Sequence, residues 1–204
     1  MEVPFVSLVV LAAGESRRFE AGNKLLYRVG GKTLIRRVIE TALNSLAGEV
    51  VVVTGHDADL ISGEIRDLGG NRLRVVHNPN YKEGMSSSVK RGVSAISERA
   101  EAVAILPADV AFISSRVIDT LITEYASRRP KIAVVTYEGR SGHPILFDRS
   151  LVPEILEISE ETMGLKSVVR KHAEEILRVP VDEREVLLDV DTLEDITSYL
   201  SSSE

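Results

Sequence analysis

An α/β fold, with a mainly parallel, twisted sheet covered by helices on both faces, is predicted for this 204-residue chain. Three observations predict it. The run Val6-Ser7-Leu8-Val9-Val10-Leu11 is rich in β-branched residues and ends in Ala12-Ala13-Gly14, a buried strand leading into a loop. Further short β-branched runs alternate with helical segments of about ten residues or more, the pattern of crossover units. No linker, repeat or low-complexity segment divides the chain, so residues 1–204 are expected to form one domain.

After the first strand, Leu34, Ile35, Val38, Ile39, Ala42 and Leu43 recur at helical spacing, with Thr33 placed to cap the helix. Glu49–Thr54 reads as a strand. Ala58–Leu68 reads as a helix with Leu60, Ile61, Ile65 and Leu68 on one side, stopped by Gly69-Gly70. Leu73–Val76 is a strand, Met85–Ile96 a helix and Val103–Leu106 a strand. Ser114–Ala126 is a helix with Val117, Ile118, Leu121 and Ile122 inward, followed by a strand at Ile132–Tyr137. Arg140–Pro144 reads as turn-rich, leading to an antiparallel edge at Ile145–Phe147. Short helices near Leu151–Ile158 and Leu165–His172, a strand near Ile176–Val181 and a helix from Thr192 complete the reading.

The composition excludes several classes of function. The longest apolar run, Val6–Ala13, is far too short to cross a bilayer, and Met1-Glu2-Val3-Pro4 lacks the features of a secretory signal. A cytoplasmic protein without membrane association is expected. There is no cysteine, which removes disulfides, thiolate metal sites and cysteine nucleophiles; any metal is held by oxygen or imidazole. The formal charge of −6 opposes broad binding to nucleic acid, although a small anion needs only a local cluster such as Arg17, Arg18 and Lys24.

In open parallel sheets ligands sit beyond the C-terminal strand ends, and four such points hold unusual residues. The first is Leu11-Ala12-Ala13-Gly14, continuing through Arg17-Arg18 to Gly22-Asn23-Lys24. Small residues let backbone N–H groups approach phosphate oxygens while Arg and Lys offset charge; the bland alternative is a strand-to-helix turn with solvated basic residues. Neither G-x-x-x-x-G-K-[ST] nor G-x-G-x-x-G is present. The second point is Asn78-Pro79, then Gly84-Met85-Ser86-Ser87-Ser88, where the hydroxyls either cap a helix or touch a base edge that Gly84 lets approach. The third is Asp109 after Leu106-Pro107-Ala108, either a Mg²⁺ ligand or a turn Asp bonded to its own backbone. The fourth is Asp189-Val190-Asp191-Thr192, where an extended chain puts both acids on one face and Thr192 with Asp195 forms a helix-start capping pair. His143, in Gly142-His143-Pro144, either contacts substrate or is simply solvated.

Taken in order, these segments resemble the nucleotidyltransferases that attach a nucleotide to the molybdopterin form of molybdenum cofactor, particularly the cytidylyltransferase branch. The resemblance spans nearly the whole chain. It implies a Rossmann-like nucleotidyltransferase domain that needs Mg²⁺ and releases pyrophosphate. On the matching positions it implies triphosphate binding by the first loop with Arg18 and Lys24, a base near Ser87 and Ser88, and Asp109 and Asp191 as metal ligands. Ser88-Val89 with Gly92-Val93 also looks like the base-proximal segment of cytidylyltransferases in isoprenoid synthesis. Ala13, where guanylyl-transferring relatives commonly have Gly, favours CTP over GTP. The chain departs from the pattern at Glu20-Ala21 ahead of Gly22, at Val110-Ala111, at Leu193 and across Glu160–Lys166.

The implied reaction is in-line attack by a substrate phosphate on the α-phosphorus of CTP, without a covalent enzyme intermediate. The partners implied are CTP or GTP, a phosphate-bearing pterin cofactor and, transiently, a molybdoenzyme or cofactor-delivery protein. Rival readings are a molybdopterin guanylyltransferase, a sugar-phosphate or other alcohol-phosphate nucleotidyltransferase, and a nucleotide-binding module without catalysis. A metal-independent oxidoreductase is disfavoured, because the dinucleotide fingerprint is missing.

Overall fold

The computed structural model describes residues 3–201; Met1 and Glu2 of the N-terminal segment read above, and residues 202–204 of the expected domain, lie outside the described residues. In chain order the elements are β1 (Val6–Ala12), β2 (Arg28–Val29), β3 (Lys32–Thr33), α1 (Leu34–Leu43), β4 (Glu49–Thr54), α2 (Ala58–Ile65), β5 (Leu73–His77) and α3 (Met85–Val93). They continue with β6 (Ala102–Pro107), α4 (Ser115–Arg128), β7 (Ile132–Tyr137), β8 (Arg140–Asp148), α5 (Val152–Leu156), α6 (Leu165–Lys171), β9 (Ile176–Pro180) and α7 (Leu193–Ser201). Among the described residues no helix is long and apolar enough to cross a membrane.

Among the described residues seven strands form one sheet in the order β5-β4-β1-β6-β8-β7-β9, and β2 pairs with β3 as a separate small hairpin. All strands of the large sheet run the same way except β8, which is antiparallel to both its neighbours. The Rossmann-like α/β expectation therefore holds. Alternation along the strands divides the core in two. Val6, Leu8 and Val10 of β1 face Ile35, Val38 and Ile39 of α1 and Ile118, Leu121 and Tyr125 of α4. Val9 of β1 and Val51 and Val53 of β4 face Val89 and Val93 of α3, with Ile155 of α5 and Val168 of α6 in the same cluster.

Three local readings need correction. Arg140–Pro144 is not a turn and Ile145–Phe147 is not an edge: both belong to β8, an interior strand seated between β6 and β7. Its polar start misled the sequence reading, because Arg140 and Ser141 are exposed at the strand end while Leu146 and Phe147 are fully buried. Leu60 points outward at 59% exposed, and α2 tightens into a 3₁₀ turn at Arg66–Leu68. The helix beginning at Met85 stops at Val93 rather than Ile96. Thr33 caps α1 as expected, its side chain accepting from Arg36 N.

Tyr125 gives the fold a testable polar contact. Its ring is fully buried, and its hydroxyl donates to Asp148 Oδ2 at 2.7 Å, tying α4 to the end of β8. Burial, reinforced by that carboxylate, pushes the phenol up to about 12. Tyr125→Phe is expected to lower unfolding free energy by about 1–2 kcal/mol, because Asp148 loses a donor. Urea denaturation of the two proteins at neutral pH checks this.

Candidate active site

Chain order reverses between β1 and β6: from β1 the chain moves outward to β4 and β5, then returns to the other side of β1 as β6. Such a switch point leaves a crevice at the carboxyl ends of the two strands. A cleft of about 410 Å³ lies there, lined from β1 and its loop by Leu11, Ala13, Gly14, Arg18 and Lys24. Gly84, Met85 and Ser88 of the α3 corner, with Pro107, Asp109 and Asp191, line it as well.

Three distant segments meet at Lys24. Its Nζ donates to Asp109 Oδ2 at 2.7 Å and to Asp191 Oδ1 at 3.0 Å, while Arg18 Nη2 lies 2.9 Å from Asp191 Oδ2. Burial works against the ammonium, but the two carboxylates override it and hold Lys24 above the ordinary lysine range. Arg18 is 75% exposed along its side chain, so its pair with Asp191 is a screened surface contact that an incoming anion can displace. Asp109 Oδ1 is buried and has no hydrogen-bond partner among the described residues.

A satellite core explains why these charges converge. Phe19, Ala111, Phe112, Val190 and Ile196 pack together with Leu34, and Arg18, Asp109 and Asp191 each sit one or two positions from one of these anchors, while Lys24 precedes Leu25 of the main core. Arg18 precedes Phe19, Asp109 precedes Val110-Ala111-Phe112, and Asp191 follows Val190. The backbone adds a tie at the same point, Val190 N donating to Asp109 O at 3.1 Å. Asp195 closes the turn beyond: its Oδ2 accepts from Asp191 N at 2.9 Å and Thr192 N at 2.7 Å, and its own N–H donates back to Thr192 Oγ1. This is the capping pair expected from the sequence, with α7 starting one residue later, at Leu193.

The remaining expected residues stand around the cleft rather than in its lining. Ala12 is buried within β1. Asn78 is buried too, and its Nδ2 donates to Ser87 Oγ at 2.9 Å and Ser88 Oγ at 3.0 Å, so it orients the hydroxyls of α3. The Ser87 hydroxyl lies at hydrogen-bond distance from both Asn80 O and Gly84 O. His143 sits near Asp189 and Asp109, with its Nδ1 buried and unpartnered among the described residues. Burial lowers its proton affinity against the pull of both acids, which favours a neutral ring. Asp189 is raised by burial first and by Asp109 next. No strand carries Asp189 and Asp191: a 3₁₀ turn at Arg184–Leu187 precedes them, and Asp191 alone of the two meets Lys24 and lines the cleft.

Sequence reasoning missed the residues that brace this site. Asn23 Oδ1 accepts from Leu25 N at 3.0 Å, opening the 3₁₀ turn on which Lys24 rides, and its Nδ2 donates to Asp57 Oδ2 at 3.1 Å. The turn preference of Asn beside Gly22, whose φ is +93°, was the available signal. Tyr81 lines the cleft and packs so tightly on Gly55 that a Cβ there would lie 2.6 Å from Tyr81 Cβ. Nothing in the local pattern marks that contact.

Among known proteins, the model of the MobA-like NTP transferase domain matches residues 8–176. A nicotine blue oxidoreductase of Paenarthrobacter nicotinovorans is 27% identical over 98% of both chains. A molybdenum cofactor cytidylyltransferase of Escherichia coli K12 is 24% identical over 93% of both. The crystal structure of a mycobacterial homologue of Mycobacterium tuberculosis Rv0371c, from strain JC1, superposes with a TM-score of 0.80 at 26% identity, covering 97% of this chain and 96% of that one. Sheet order, cleft and matched sequence agree: the chain belongs to the MobA-like NTP transferase domain family and is a nucleotidyltransferase.

Proposed function

We propose that this nucleotidyltransferase moves CMP from CTP to the phosphate of a molybdopterin-type pterin cofactor and releases pyrophosphate, residues 1–204 acting as one domain in the cytoplasm. The observation that carries the reading is the meeting of Lys24 and Arg18 with Asp109 and Asp191 across one cleft at the switch point. Its volume is within the usual range for small-molecule sites.

The donor set suits Mg²⁺, a hard cation that takes one or two carboxylates plus substrate phosphates. Asp109 and Asp191 would hold it: both already reach a single cation, and Asp109 keeps a buried oxygen without a partner. When bound, the ion offsets charge on the transferring and leaving oxygens. Lys24 and Arg18 then bind the phosphates, the small residues Ala13 and Gly14 let backbone N–H groups approach, and Ser88 and Gly84 face the base. On the other side of β6, His143 in the first half of β8 serves the acceptor, its unpartnered Nδ1 supporting that role. A substrate phosphate is already ionised near neutral pH, so positioning and electrostatics suffice and no protein nucleophile is needed.

Full-length similarity to an oxidoreductase keeps a second reading in view, namely redox chemistry in the same cleft. One assay separates the readings. Purified protein with Mg²⁺ is offered CTP or GTP together with molybdopterin, or with sugar phosphates, and pyrophosphate is followed. Release with CTP and pterin alone is expected. Release with GTP or with sugar phosphates reassigns the substrate; triphosphate binding without turnover identifies a binding module; and, in a parallel incubation supplied with a reduced dinucleotide and a dye as electron acceptor, oxidation of the dinucleotide coupled to reduction of the dye supports the second reading.

A further inference from the structure

The corner that faces the proposed base is held from a distant part of the chain. Gly84 has φ +107° and ψ 179°, a conformation essentially restricted to glycine, and it immediately precedes α3. A Cβ at this position would meet the Glu160 side chain, 2.5 Å from both Cγ and Cδ. Glu160 Oε1 in turn accepts from Ser86 N at 2.7 Å, across 74 residues of sequence. That bond keeps the carboxylate below the ordinary glutamate range. Glu160 belongs to the loop between α5 and α6, which is closed by Gly164 N donating to Ser159 O at 2.8 Å and Met163 N to Glu160 O at 3.0 Å. Its base is steadied because Ile155 and Ile158 share a core cluster with Val89 and Val93 of α3.

The electrostatic consequence is specific. The first turn of a helix leaves unpaired N–H groups and attracts anions. At α3 one of those N–H groups is already taken by a carboxylate, so a phosphate brought here would meet a like charge. The cationic first loop is where the polyphosphate is drawn, and the Gly84–Met85 wall is left for an uncharged part of the ligand. Met85 suits that role: it lines the cleft and is 62% exposed.

We infer that Glu160 is a positioning residue for the nucleoside half of the ligand: by bonding Ser86 N and packing on Gly84 it fixes the wall against which the base lies. This rests on the cleft binding nucleoside triphosphates. Calorimetry separates the two halves of the ligand, using CTP and inorganic tripolyphosphate, each with Mg²⁺, as probes. Glu160→Ala is expected to weaken CTP about tenfold while tripolyphosphate stays within about twofold. Glu160→Gln keeps an oxygen for Ser86 N and is expected to bind CTP nearly as the unmodified protein does. Gly84→Ala, which disturbs the same wall from the other side, should repeat the selective loss. The assignment is overturned if Glu160→Ala or Gly84→Ala binds CTP normally, if both probes weaken together, or if Gln is as damaging as Ala. Binding of neither probe by the unmodified protein removes the nucleotide reading itself, and this assignment with it; CTP binding that ignores Glu160 removes only the latter.

Discussion

Lys24→Ala is expected to reduce turnover at saturating nucleoside triphosphate by about 10²–10³-fold, the usual loss when one preorganised charge-stabilising donor is removed. The Lys24 side chain is 13% exposed and its ammonium is shared between Asp109 and Asp191, so it is the fixed cation of the cleft, whereas Arg18 is a solvated one. Alanine also leaves two neighbouring carboxylates without their common partner. All three side chains are only partly buried, so the stability loss falls between that of a surface pair and that of a buried pair, on the order of 1–3 kcal/mol. The fold should survive, as circular dichroism would show. The pH dependence follows from the raised value of Lys24. A group whose proton affinity is higher in the folded state contributes fully below its unfolded value and loses that contribution as pH rises through the folded one. Between neutral pH and about pH 10 the stability gap between the two proteins is thus complete, and it closes above the ordinary lysine range. Near-normal turnover in a well-folded variant would remove Lys24 from the machinery.

Asp109→Asn is expected to produce two effects of opposite sign. Turnover falls by about 10²–10³-fold, since the proposed Mg²⁺ site loses one of its two carboxylates and with it the charge stabilisation the ion supplies. Affinity for CTP in the presence of a chelator rises instead, by about five- to tenfold. Without added metal the charge of Lys24 is shared with Asp109, at 2.7 Å, and Asp109 itself repels the polyphosphate. Asparagine removes both penalties while keeping the side chain's size. Titration calorimetry in chelator measures the second effect independently of catalysis. Weaker chelated binding by the variant would show that Asp109 neither opposes the anion nor draws on the Lys24 charge that the phosphates need.

Much of the scaffold was legible in the residues because burial on both faces of a parallel strand leaves a mark. Val6–Leu11 and Glu49–Thr54 announce central strands, and the spacing of Val117, Ile118, Leu121 and Ile122 announces a helix face; all of these are buried or nearly so in the structure. What failed was local pattern where the environment changes along one element. β8 begins with exposed Arg140 and Ser141 and ends among core residues, so half of it read as a turn. Leu60 read as inward by spacing alone, but the face it shares is at the margin of α2.

The sequence by itself determined the α/β class, the small-residue exit from the first strand, the basic residues that follow it and the acids available to meet them. Those are properties of composition and short-range periodicity, which a linear chain displays directly. Only the folded chain brings Lys24, Asp109 and Asp191 to one point, selects Asp191 rather than Asp189 for the Lys24 contact, and carries Glu160 to Ser86. Those meetings depend on apolar anchors far apart in the chain, Phe19, Phe112, Val190 and Ile196 among them, packing on one another, and no local spacing encodes which anchor will find which.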